Sequence, residues 1–220
     1  MIIESFAAGP WATNCYVVAP AADSEAIVID PGFDSVEHIQ GLLTKHRLHP
    51  IAALLTHGHM DHVWSVVPLC RSHRIPALIN KKDSWMLEQP QTAYSASSWR
   101  EILNLAAGEV NFFPNDINYL ENNQKINLDV FEVEAISAPG HTQGSMVFKF
   151  AEVLFSGDTL FNRGIGRTDL PGGDEQQMRK TLKEVILPMD DQLKVYPGHG
   201  PSTTIGDERK QNIFLRELTR

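Results

Sequence analysis

The stretch Leu54-Leu55-Thr56-His57-Gly58-His59-Met60-Asp61-His62 constrains this chain more than any other. An apolar run of strand length, Ile51 to Leu55, empties into three histidines and one aspartate, and a helix-compatible apolar run from Val63 to Leu69 follows. Side chains alternate in a strand and spread by about 100° per residue in a helix, so four such ligands cannot meet one ion from regular backbone. They must sit on a turn, and a turn can divide them between two adjacent ions. The natural split is His57 with His59 for one cation and Asp61 with His62 for the other. Each imidazole offers a borderline-soft nitrogen suited to zinc, iron or manganese. A lone histidine beside an apolar run is ordinarily a hydrogen-bonded structural residue. A cluster is different, because buried polar side chains are costly without partners.

Three further apolar, strand-like runs end on ligand residues. Asp129 to Ile136 alternates Phe131, Val133 and Ala135 with Glu132 and Glu134 and gives way to Pro139-Gly140-His141. Glu152 to Phe155, which follows the strand Met146 to Phe150, ends at Gly157-Asp158. Leu193 to Tyr196 ends at Pro197-Gly198-His199-Gly200. Strand ends on one edge of a layered sheet can converge, and loops on a rigid scaffold are where such sites belong. Glycines beside the ligands allow sharp turns and close backbone approach.

The remaining segments predict a mixed α/β chain. Ile2 to Phe6, Asn14 to Ala19 and Glu25 to Asp30 read as a β-meander, with Asp30 either forming a turn or supporting a metal histidine. Helices are expected from Asp34-Ser35 to about His46, over Val63 to His73, from Asp174 to about Leu187, and from Asp207 to about Thr219, the last docking by Ile213, Phe214 and Leu218. Pro76 to Ile79 reads as a short strand, and His38, His46 and His49 as solvated. Residues 80–115 mix loop residues with Trp85, Tyr94, Trp99, Phe112 and Phe113, which suits either a satellite core or the cover of a substrate pocket.

Composition bounds the rest. The 220 residues, 42% hydrophobic and 21% charged, suffice for one large core, and a single domain over 1–220 is expected. Nineteen basic against twenty-seven acidic residues give a net charge of −8 without a basic block, which disfavours nucleic acid as a partner. Cys15 and Cys70 match neither a disulfide framework nor a thiolate zinc site and are expected to be buried, reduced thiols. No secretory leader pattern and no long apolar run is present, so the expectation is a soluble cytoplasmic protein without membrane partners.

The HxHxDH run within Thr56 to His62, with His141, Asp158 and His199 downstream, resembles the metallo-β-lactamase superfamily, and the similarity extends from Val28-Ile29-Asp30-Pro31-Gly32 to Pro197-Gly198-His199-Gly200. The resemblance implies an αββα sandwich with a dinuclear site at one edge, His57, His59 and His141 binding the first metal, Asp61, His62 and His199 the second, and Asp158 bridging them. Two divalent ions roughly 3.5 to 4 Å apart, zinc first with iron or manganese as alternatives, can share a water and supply hydroxide near neutral pH. Asp61 would orient that water and take its proton.

Within the superfamily, the segments Gly157 to Phe161, Gly166 to Asp174 and Pro197 to Gly206 resemble short glyoxalase II-like hydrolases. That implies hydrolysis of a small-molecule acyl thioester such as S-lactoylglutathione, with Arg167 standing where that family places a glutathione-contacting lysine and Arg163 nearby as a second substrate contact. Two alternatives share the scaffold. A mononuclear iron persulfide dioxygenase resembles the Arg163 to Asp169 segment, with iron on His57, His141 and Asp158, but such enzymes follow the last histidine with Asp-Tyr where this chain has Gly200-Pro201. A phosphodiesterase or lactonase of the superfamily is the third reading.

Overall fold

In the computed structural model, which describes residues 1–106, 110–128 and 131–219 with the backbone alone of Leu128 and Phe131, the meander is present as β1 (Ile2–Ala8), β2 (Thr13–Ala19) and β3 (Glu25–Ile29). Strand periodicity sends Cys15, Val17 and Ala19 to one face of β2 and Tyr16 and Val18 to the other, and all five are buried. A strand buried on both faces lies inside a layered molecule.

The chain continues through α1 (Val36–His46), β4 (His49–Leu54), α2 (Met60–Val63), α3 (Val66–His73) and β5 (Ala77–Asn80). Then follow α4 (Ser84–Glu88), α5 (Ala96–Ala106), β6 (Ile117–Leu120), β7 (Gln124–Leu128), β8 (Phe131–Ser137), β9 (Met146–Phe150) and β10 (Val153–Gly157). The last part comprises α6 (Glu175–Thr181), β11 (Lys194–Pro197), β12 (Thr203–Thr204), α7 (Ile205–Gln211) and α8 (Ile213–Leu218). One six-stranded sheet runs in the order β1-β2-β3-β4-β5-β6, and the other in the order β12-β11-β10-β9-β8-β7.

Three cores stack these into four layers. Tyr16, Ile27, Leu54, Phe148 and Phe155 fill the space between the sheets. Ile39 and Leu43 of α1 and Leu69 of α3 cover the outer face of the first sheet, and Met178, Leu182, Ile205 and Leu215 cover that of the second. This is the expected αββα sandwich.

Several expectations need correction. The helix predicted over Val63 to His73 breaks at Trp64 and Ser65, because Pro68 is tolerated only in a helix's first turn and α3 must restart at Val66. The last helix breaks at Asn212, whose Oδ1 caps α8 by accepting the Phe214 N–H. The break shifts the phase: Leu215 is buried, whereas Ile213 and Phe214 are exposed instead of docking. His46 is half-buried instead of fully solvated, its Nε2 lying 2.6 Å from Glu4 Oε1. Residues 80–115 contain α4 and α5, and β6 and β7 were not expected at all. Of the strand expected over Asp129 to Ile136, residues 129 and 130 lie outside the described residues, and β8 covers the rest.

Candidate metal centre

All seven expected ligands meet at one edge of the sandwich. The turn after β4 delivers His57 and His59, and α2, which follows at once, delivers Asp61 and His62, so not all four sit on the turn as expected; the turns after β8, β10 and β11 deliver His141, Asp158 and His199. The turns pack too tightly for larger residues, as Gly157 and Gly198 show. Gly157 has a φ of +48° and a Cβ there would stand 2.5 Å from Thr56 Oγ1; one at Gly198 would stand 2.2 Å from Asp158 Oδ1.

Three clusters of potential ligand atoms result, each with its atoms within 4.8 Å of one another: His57, His59 and His141; His57, His62 and Asp158; Asp61, His62 and His199. In the first, His141 Nε2 lies 2.9 Å from His59 Nδ1 and 3.2 Å from His57 Nε2. In the last, Asp61 Oδ2 lies 3.4 Å from His62 Nε2 and 3.3 Å from His199 Nε2. Asp158 reaches both, with Oδ1 3.3 Å from His62 Nε2 and Oδ2 3.6 Å from the Nε2 atoms of His141 and His199.

The far side of most rings is fixed by a hydrogen bond. Nδ1–H of His62 donates to Asp30 Oδ2 (2.9 Å), that of His141 to the Arg167 carbonyl (2.6 Å), that of His199 to the Trp11 carbonyl (3.1 Å), and that of His57 to Thr56 Oγ1 (3.0 Å). A proton on Nδ1 leaves Nε2 as the ligating lone pair. His62 Nε2 and Asp158 Oδ1 are buried without a hydrogen-bond partner, a costly state that a cation between them would relieve. The donor set therefore fits divalent metal.

Charge divides the two outer clusters. Burial, reinforced by the neighbouring imidazoles, holds His57 far below the usual histidine range and His59 at about 3, so both are neutral. Burial opposes protonation of His62 and His199 as well, but the carboxylates of Asp61 and Asp158 outweigh it and raise both. Burial would also raise Asp61 and Asp158, yet His62 chiefly holds both below the usual carboxylate range.

Of the two readings of Asp30, the structure realises support of a ligand: besides His62 it accepts the Thr56 N–H and hydroxyl. Residues not singled out from sequence do comparable work. Thr13 Oγ1 donates to Asp61 Oδ2 at 2.7 Å. The fully buried Asp83 accepts from Gly58 N–H (3.1 Å), Thr142 Oγ1 (2.6 Å) and Gly144 N–H (2.7 Å), tying the His57–His59 turn to the His141 turn. Their partners lie 48 to 61 residues or, for Gly58, 25 residues away, so no local pattern announces them.

A cleft of about 640 Å³ opens over the cluster. Tyr94, Ile102 and Leu105 form one wall, so part of the 80–115 segment does line the pocket, while Trp99 and Phe112 join the core beneath. Arg167 lines the cleft, its guanidinium paired with both Asp169 oxygens at 2.7 Å. Arg163 is not among the lining residues and turns to Gln211 Oε1 (2.6 Å), which corrects its expected substrate contact: its left-handed φ of +61° and the bond from its N–H to Glu208 aim it at α7. Cys15 and Cys70 are buried free thiols, and no helix among the described residues is long and apolar enough to cross a membrane.

A family model for the metallo-β-lactamase superfamily matches residues 8–199. The chain belongs to the metallo-β-lactamase superfamily. Among its relatives, the uncharacterized protein Rv2581c of Mycobacterium tuberculosis is 40% identical over the whole of both chains. Hydroxyacylglutathione hydrolase GloC of Haemophilus influenzae is 32% identical over 98% of each. The crystal structure of the BLEG-1 B3 metallo-β-lactamase superposes with a TM-score of 0.86 and 34% identity, covering 97% of this chain and 99% of that one. Superfamily membership and the His/Asp clusters together make this a metal-dependent hydrolase of the metallo-β-lactamase superfamily.

Proposed function

We propose that the protein hydrolyses a small-molecule acyl thioester, using two divalent cations, zinc in the first instance, held by His57, His59 and His141 and by Asp61, His62 and His199. The observation that carries this reading is Asp158, which lies within 3.6 Å of imidazoles from both sets. Cations bound there supply Lewis acidity, lowering the pKa of water and polarising an acyl carbonyl.

The chain's own residues supply orientation and proton handling. Asp61 is held ionised at the cleft by Thr13 and by the flanking imidazoles, so it accepts a hydrogen bond from water and aims it at the acyl carbon. As the C–O bond forms and the C–S bond breaks, the water's proton passes to Asp61 and on to the departing sulfur. The products are a carboxylic acid and a free thiol. The likeness to GloC supports a thioester, and the likeness to BLEG-1 makes a β-lactam the natural comparison substrate.

The test is thiol release by the metal-loaded protein under anaerobic conditions, beside a β-lactam and, with oxygen admitted, a glutathione persulfide. Thiol release is expected, and Asp61→Asn should lower kcat by about 10²-fold or more while about two metal equivalents are retained. Oxygen consumption with the persulfide and no thiol release would overturn the reading in favour of a dioxygenase. Turnover of the β-lactam alone would make it a lactamase.

A further inference from the structure

Away from the ligands, the cleft that would receive the substrate is lined mostly by apolar and aromatic side chains. Trp11, Tyr94, Ile102, Leu105, Phe161 and Leu170 line it. Leu105 is 48% exposed, a large hydrocarbon side chain left in water at the mouth of a site. Arg167 is the single lysine or arginine among the described lining residues, and Asp169 already takes its guanidinium through two hydrogen bonds. Glu101, from the same helix as Ile102 and Leu105, adds a negative charge to that wall.

These features disagree with a carrier that bears carboxylates. A glutathione-like thiol has two of them, and each would need a cation or a set of donors. Here the one guanidinium is shared with Asp169, and Glu101 repels both carboxylates and suits only the single ammonium of such a carrier. A hydrocarbon group, by contrast, would cover the exposed Leu105, beside the buried Ile102, and remove apolar surface from water.

We propose, on the reading that the protein is a thioesterase, that its substrate is an uncharged thioester carrying an alkyl or aryl group packed on the Ile102–Leu105 face of α5, and that dicarboxylate carriers of the glutathione type are disfavoured. Arg167 then serves the loop, through Asp169 and through its carbonyl on His141, and α5 determines specificity.

The experiment is a calorimetric titration of the metal-loaded protein with thioether analogues, which cannot be cleaved: S-ethyl-, S-butyl- and S-hexyl-N-acetylcysteamine, and S-hexylglutathione. Kd should tighten by about two- to fourfold per methylene, the upper figure corresponding to full burial of each group. S-hexyl-N-acetylcysteamine should bind about tenfold more tightly than S-hexylglutathione, because like charges are penalised across an interface. Leu105→Asp should flatten the chain-length dependence and Leu105→Met should preserve it, a difference that loss of fold would not produce. A Kd independent of chain length, or equal or tighter binding of S-hexylglutathione, would overturn the proposal. Because these ligands are not hydrolysed, the titration is independent of the thiol-release assay. Failure of every thioester to release thiol would sink the thioesterase reading while the titration still reports on the cleft.

Discussion

His57, His59 and His62 stand within six positions of one another, yet they hold protons differently. Burial keeps the first two neutral, and the carboxylates of Asp61, Asp158 and Asp30 keep His62 charged, as Asp61 and Asp158 do His199. A cation binding a charged imidazole must displace its proton, whereas one binding a neutral imidazole displaces none. The sign follows: a histidine whose pKa is raised above 6.5 is protonated below that raised value, so metal uptake by the Asp61/His62/His199 set competes with protons and strengthens as pH rises. Uptake by His57 and His59 draws on rings that are already neutral at pH 6.5 and above, and is flat there. Adding zinc to metal-free protein near pH 6.5 should release protons from His62 and His199, and this share falls as pH rises through their raised pKa values, leaving the proton lost by metal-bound water. Paired calorimetric titrations in buffers of different ionisation enthalpy measure this. Release of no protons at pH 6.5 would show that His62 and His199 are neutral.

At the scale of elements, a packing residue one or two positions from its expected place changes which side chain stabilises. Leu215 is fully buried among Met178, Leu182 and Ile205, while Ile213 is 58% exposed. Leu215→Ala should cost about 2–5 kcal/mol through lost burial and a residual cavity. Ile213→Ala should change stability by about 0.5 kcal/mol or less. Chemical denaturation of both variants decides between the two phases of α8, and a larger loss at Ile213 would restore the uninterrupted helix. The phase was illegible because Asn212 reads as one more polar helix residue until its side chain is seen capping the next turn. The same limit hid β6 and β7, edge strands whose Asn118, Tyr119, Gln124 and Lys125 face solvent and give no sustained alternation of apolar residues. The seven ligands were legible for the opposite reason: each follows a buried strand whose apolar run stops abruptly at the ligand or shortly before it. Asp83, Thr13 and Tyr94 act through contacts between segments distant in sequence, and those exist only once the chain has folded.

Over the whole molecule, the ligand edge is also where the two sheets are stitched together. Asn14 N–H donates to the Gly198 carbonyl, Tyr16 Oη to the Pro197 carbonyl and Met146 N–H to the Thr56 carbonyl, each joining one sheet to the other. Ligands from both sheets make up each outer cluster, so metal bound there stabilises the sandwich itself. At a free concentration of about a thousand times Kd, linkage contributes about 4 kcal/mol per ion. For a domain of this size each kcal/mol raises Tm by about 2–4 °C, so excess zinc should raise the melting point by about 10 °C or more over chelated protein. Asp83 sets how much of that gain is available, because it holds the turns of His57–His59 and His141 in register. Both its oxygens are committed to backbone N–H groups, Oδ1 to Gly144 and Oδ2 to Gly58, and a backbone donor cannot reverse its role. Asp83→Asn keeps the shape but offers one acceptor, so one N–H must face an amide NH2 at a cost of about 1–3 kcal/mol. A merely structural defect would lower the melts of loaded and chelated protein equally. Loss of register instead weakens binding by the His57/His59/His141 set, and the zinc-induced rise in Tm should shrink in Asp83→Asn relative to the unmodified protein. Thermal melts of both proteins, each with excess zinc and with chelator, give the four values needed, and an undiminished rise in the variant would limit Asp83 to folding.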